Sequence, residues 1–182
     1  MRAAAPSVVV ETGVCYGFSS TAILSALEDN RKGHLWSIDL PTLDPNGRIN
    51  SDGVRDTSHV VAPVGVGAAI PEDLRERWTL VPGDSEVELP RLLAQLGEID
   101  FFFHDAEHSY RAMMREFTLA WERLAPGGVL ASDDITWTRA FQEFAGVRGL
   151  RPVYFPRALY LQRKLLRRNV LYRGWVRKPS PG

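Results

Sequence analysis

The chain reads as an open, doubly wound α/β sheet, and three observations predict it. Short apolar runs alternate along the sequence with stretches of helical spacing. The runs are apolar on successive residues, as in Val8-Val9-Val10 and Phe101-Phe102-Phe103, which is the pattern of strands covered on both faces of a parallel sheet. Acids and glycines stand at the ends of these runs, where an α/β sheet keeps its ligand crevice.

The first strand is Val8-Val9-Val10, and it stops at Glu11-Thr12-Gly13-Val14-Cys15-Tyr16-Gly17. Glycine permits positive φ and lets a ligand lie against the backbone. Ser19, Ser20 and Thr21 are candidate N-caps for a helix carrying Ile23, Leu24 and Leu27. The free N–H groups of such a helix suit a carboxylate or a phosphate. The spacing Gly-x-x-x-Gly differs from the Gly-x-Gly-x-x-Gly of dinucleotide binders, and a plain βα turn also uses glycine.

His34 to Asp39 is a second strand, and its terminal acid suits either a loop or cap position or, as the upstream glycine turn favours, both hydroxyls of a ribose. Residues 40–70 are rich in Pro, Gly, Asn and Asp and form a lid-like loop, with His59 inside it. Pro71 to Trp78 is a short helix, and Thr79-Leu80-Val81 a third strand ending at Pro82-Gly83-Asp84-Ser85. Ser85 is the expected cap of a helix from Val87 to Leu96. The fourth strand centres on Phe101 to Phe103 and ends at His104-Asp105, and a helix follows from Tyr110 to Leu124. Ala125-Pro126-Gly127-Gly128 reads as a breaker before a fifth strand, Val129-Leu130-Ala131, which ends in Ser132-Asp133-Asp134. Phe141 to Ala145 is helical. Two further strands, near Val153 and Val170 to Val176, are expected to pair antiparallel at the edge, with Leu159 to Arg168 read as either helix or hairpin arm.

The 182 residues fit one domain, with a core over 8–144, the lid over 40–70 and a basic edge over 151–178. Hydrophobic content of 45% and charged content of 24% suit a soluble globular chain, and no run is long enough for a signal peptide or membrane span. One cysteine excludes an internal disulfide and fits a reducing, cytoplasmic compartment. Cys15 has no flanking base and reads as a small filler of the turn. All 22 acids lie at or before Glu143, whereas the tail beyond it is basic. Strand-like alternation in that tail favours a sheet edge over a nucleic-acid surface.

In a parallel sheet Asp105, Asp133 and Asp134 come to one edge beside the glycine turn. Carboxylates so gathered repel unless a cation or a proton resolves the charge, and Mg²⁺ takes such hard oxygen ligands. The same acids are also suited to cap helices. His108, three residues past Asp105, has an imidazole suited to general-base work or, equally, to a helix cap; His104 reads as a core residue.

Together these motifs resemble class I S-adenosylmethionine-dependent methyltransferases with a Rossmann-like sheet. More narrowly they resemble the metal-dependent O-methyltransferases of the catechol O-methyltransferase type and the bacterial group acting on sugars and natural products. Glu11-Thr12-Gly13-Val14-Cys15-Tyr16-Gly17-Phe18-Ser19 is similar to the family's cofactor loop. The resemblance implies cofactor contacts from Glu11, Gly13, Gly17, Ser19, Asp39, Asp84 and Ser85, a Mg²⁺ site on Asp105, Asp133 and Asp134, and His108 as base. It implies methyl transfer to a hydroxyl of a small molecule such as a sugar, polyol or natural product. Family members carry N-terminal helices over the site, and almost nothing precedes Val8. The cover is then expected from the 40–70 loop or a second copy in a homo-oligomer, unless the domain is incomplete. The alternatives are a metal-independent methyltransferase and a non-catalytic module docking through its basic tail.

Overall fold

The computed structural model describes residues 1–40, 47–56, 64–156 and 172–180. Strands β1 (Val8–Thr12), β2 (His34–Asp39), β5 (Trp78–Pro82), β6 (Ile99–His104), β7 (Leu124–Ser132), β8 (Val153–Pro156) and β9 (Tyr172–Arg177) form one sheet of order β5-β2-β1-β6-β7-β9-β8. The first five in that order are parallel, and β9 runs antiparallel to both β7 and β8. The expected doubly wound sheet with an antiparallel C-terminal edge is therefore the observed fold. Two short strands, β3 (Arg48–Ile49) and β4 (Arg55–Asp56), make a separate hairpin in the lid segment.

Alternation along the strands builds a core on each face, because successive side chains point to opposite sides. Val10, Phe102 and Leu130 face helices α2 (Ser85–Leu96), α3 (Tyr110–Arg123) and α4 (Ala140–Val147), meeting Leu89, Phe117 and Phe144. Val9, Phe101 and Val129 face helix α1 (Phe18–Asp29), meeting Ile23, Leu24 and Leu27. Among the described residues no helix is long and apolar enough to cross a membrane.

Three local expectations are corrected. Helix α1 is capped by Gly17 at φ +91 with no side-chain cap, so Ser19 and Ser20 lie inside its first turn. Asp84 rather than Ser85 caps α2, accepting from the Glu86 N–H. Ala125 to Gly128 does not break the chain before the fifth strand: β7 runs through it with a register shift against β6. The backbones of Gly127 and Gly128 bond Lys178, so the tail holds this irregular stretch in strand form. His59 and Leu159 to Arg168 lie outside the described residues.

Candidate functional site

Parallel strands end at one edge, and β1, β2, β5 and β6 deliver their terminal residues to a single cavity of about 350 Å³. Its wall is drawn from Gly13, Val14 and Cys15, then Asp39, then Asp84 and Ser85, then Asp105 and His108, with Asp134 and Trp137 from beyond β7. The turn after β1 presses against β6: a Cβ on Gly13 would lie 2.0 Å from the Asp105 carbonyl oxygen, and φ there is +86. Only glycine serves that crossing. Asp39 fixes the loop by accepting the Val14 N–H at 2.8 Å and the Cys15 N–H from the same carboxylate oxygen, Oδ2. Burial pushes the Cys15 thiol up, which suits a structural filler.

Beneath the cavity lies a buried polar network. Glu116 Oε2 accepts from Thr12 Oγ1 at 2.6 Å and lies 2.8 Å from His104 Nδ1, while Oε1 accepts from Ser85 Oγ at 2.6 Å. Burial by itself would raise the Glu116 carboxyl. The pull of His104 and the hydrogen bonds from His104, Ser85 and Thr12 outweigh it and hold the group below the usual carboxylate range. The network joins the ends of β1 and β6 to the start of α2 under the floor.

His108 stands on that floor. Its ring meets His104 edge-on at 5.3 Å and stacks on Trp137 at 5.7 Å, and its Nε2 is 3.8 Å from Asp105 Oδ1. Trp137 is 54% exposed and so offers its ring to whatever enters. Arg48 of the β3–β4 hairpin also lines the cavity and pairs with Asp84 at 3.1 Å and Glu107 at 3.3 Å. Asp52 in the same hairpin accepts the Tyr110 and Arg111 N–H groups at the start of α3. The β3–β4 hairpin is thus tied to the cavity wall by charge and to the start of α3 by a helix cap.

A family model described as "Methyltransferase domain" matches residues 10–135. The chain belongs to that methyltransferase-domain family. A search of curated proteins finds no match. The fold is shared with solved structures at low identity. An O-methyltransferase from Bacillus cereus in complex with S-adenosylhomocysteine has a TM-score of 0.61 at 14% identity, covering 97% of this chain and 76% of that one. TomG, an O-methyltransferase from Streptomyces achromogenes involved in tomaymycin synthesis and solved with S-adenosylmethionine, has a TM-score of 0.62 at 15% identity over 97% and 75%. Cofactor-bound Rv0187 from MTB has a TM-score of 0.66 at 17% identity over 98% and 76%.

Within this methyltransferase domain, Gly13, Asp39, Asp84, Ser85, Asp105, Asp134 and His108 come together on the cavity wall. Glu11, Gly17, Ser19 and Asp133 do not line it. Glu11 is fully buried and accepts from Ser20 Oγ at 2.6 Å and Ser37 Oγ at 2.8 Å, tying β1 to α1 and β2. Burial raises its carboxyl, and hydrogen bonds from Ser20, Ser19 and Ser37 only partly offset this. Gly17 packs under Ile70, whose side chain a Cβ would meet at 2.7 Å.

The acids do not assemble as a magnesium ligand set. Asp133 is fully buried; its Oδ1 accepts the Asp134 N–H at 2.9 Å and its Oδ2 accepts from Arg173 Nη2 at 3.2 Å. A divalent ion would have to displace a guanidinium to use that carboxylate, and Mg²⁺ tolerates little departure from octahedral placement. Among the described residues no three His, Cys, Asp or Glu side chains stand at metal-binding spacing. As arranged, the described residues do not fit the ion. Asp39, Asp105 and Asp134 give the cavity an acidic wall, which suits a cationic ligand.

Trp137, Arg48 and Arg173 were not legible as site residues. Trp137 reaches the wall from the segment after β7 and Arg48 from the short β3–β4 hairpin, placements that no local pattern encodes. Arg173 sits in the basic tail, where the lopsided charge was the one available signal.

Proposed function

We propose that this methyltransferase transfers a methyl group from S-adenosylmethionine to a hydroxyl of a small molecule. The observation that carries the reading is the convergence of Gly13, Asp39, Asp84, Asp105, Asp134 and His108 on one cavity at the carboxyl edge of the sheet. In this reading Asp39 receives the ribose, Asp84 and Ser85 the adenine end, and the backbone of Gly13 to Cys15 the methionyl part. Ser19 and the first turn of α1 are offered to the methionine carboxylate if the ligand extends past the described wall. The cofactor supplies an electrophilic methyl on sulfonium.

The chain's own part is to bind, align and take a proton. His108 receives the acceptor's hydroxyl proton at a ring nitrogen, and Asp105 helps hold the ring charged once it has done so. Trp137 walls the acceptor side and keeps water from the ring. Alignment of the acceptor oxygen is the larger contribution, up to about 7–11 kcal/mol when geometry is ideal.

The Mg²⁺-dependent version of this reaction requires Arg173 to leave Asp133. The Arg173–Asp133 contact favours the version without metal. The reading is tested by following labelled methyl from S-adenosylmethionine into a panel of sugars, polyols and phenols, with Mg²⁺ or with EDTA. Transfer to a hydroxyl acceptor that survives EDTA is expected. A folded protein that binds cofactor and methylates nothing in the panel would move the reading to a non-catalytic module.

A further inference from the structure

Side chains alternate along β6, so His104 turns to the same face as Phe102, toward α3. It meets Phe117 there, edge-on at 5.4 Å, and the carboxylate of Glu116. An apolar residue would satisfy such a position, and a histidine does so only in part. The ring is fully buried, and Nδ1 lies 2.8 Å from Glu116 Oε2. Nε2 is buried too, and it has no hydrogen-bond partner among the described residues. A bare polar atom in a core is costly, and few are kept without a use. Its chemistry narrows that use. Against its burial, the pull of His104 and the hydrogen bonds from His104, Ser85 and Thr12 keep Glu116 a carboxylate. A carboxylate only accepts, so it requires the His104 proton on Nδ1 and leaves Nε2 as a lone pair. Two rings meet His104 edge-on, Phe117 and, at 5.3 Å, His108. Of these only His108 has an N–H to give.

We propose that Glu116 and His104 set the tautomer of His108. His104 Nε2 accepts the one N–H that the neutral His108 ring carries, which leaves the other His108 nitrogen bare for the acceptor's proton. His104 is a positioning residue here and neither gains nor loses a proton. Its Nδ1–H stays on Glu116, and the hydroxyl proton ends on His108. Hydrogen bonds of this kind are often long before substrate arrives and tighten in the complex. The role rests on His108 being the base of the proposed methyl transfer.

The chain has four histidines, few enough to assign each ring by substitution. The test is long-range ¹H–¹⁵N correlation of the ring nitrogens in the full chain with S-adenosylhomocysteine added, at about pH 8.5, above the ordinary imidazole range. Wild type is expected to show His104 as the Nδ1–H form alone and His108 as a single tautomer. H104L is expected to turn His108 into a mixture of both tautomers. A His104 proton on Nε2, a mixed His108 in wild type, or a His108 unchanged in H104L each overturns the proposal. If H104L does not fold, E116Q takes its place: an amide gives as well as accepts, so both rings should become mixtures, and unchanged rings overturn the proposal. A kinetic arm uses the acceptor returned by the labelled-methyl panel. H104L should lower kcat at least about tenfold in wild type and less than about twofold in H108A, and an equal loss in both backgrounds overturns the positioning role. The spectra need no acceptor, so an empty panel with the expected tautomers counts against methyl transfer and not against the His104 contact.

Discussion

Glu116→Leu removes the single acceptor on which the cavity floor depends. Thr12 Oγ1, Ser85 Oγ and His104 Nδ1 all lie within 2.8 Å of its carboxylate, and both Glu116 and His104 are fully buried. Leucine fills much the same space, so the loss is of polar partners rather than of volume. Removing one member of a buried, hydrogen-bonded pair typically costs about 3–5 kcal/mol, because the groups left behind cannot reach water. For a chain of this size that corresponds to a Tm lower by about 6–20 °C. The assay is urea unfolding followed by far-UV circular dichroism, with a thermal melt as a check. There is also a pH arm. A carboxyl held below its ordinary value contributes stability that is present above that value and lost as pH falls through the folded one. Wild type should therefore lose stability on acidification below the usual carboxylate range, and E116L should lose less. A destabilisation under about 1 kcal/mol with an unchanged acid limb would refute the network's role.

His108→Ala should lower kcat by about 10²–10⁴ while the dissociation constant for S-adenosylmethionine changes less than about threefold; equal turnover would remove His108 from the base role. Glu11→Gln tests the opposite sign of linkage. Burial raises the Glu11 carboxyl, so its contribution is complete below the ordinary value and is lost as pH rises through the folded value. Wild type should accordingly lose stability as pH rises above the usual carboxylate range by a slope that E11Q lacks, and parallel curves for the two proteins would count against the buried, raised carboxyl.

The sheet was legible because its centre is written in contiguous apolar runs. Val8-Val9-Val10 and Phe101-Phe102-Phe103 have no polar face to expose, and both became central parallel strands. The acids at the strand tips were legible for the same reason, since an acid ending such a run must leave the core. What a side chain does after leaving is decided by tertiary neighbours. Glu11 has the same local setting as Asp39, yet Ser20 and Ser37 close over it while Asp39 stays on the cavity wall. Pro126-Gly127-Gly128 looks like a turn until Lys178, far along the chain, bonds its backbone. The adjacent acids Asp133 and Asp134 part company because Asp134 takes a left-handed conformation at φ +46, which sends one toward the cavity and the other toward Arg173.

The central claim is that this cavity binds S-adenosylmethionine with its ribose on Asp39. Its most direct test is calorimetric titration of the cofactor into the purified protein and into Asp39→Ala. A micromolar, one-to-one isotherm for wild type, weakened at least about tenfold in D39A, is the expected result. No heat of binding from either S-adenosylmethionine or S-adenosylhomocysteine with folded wild-type protein would contradict the claim.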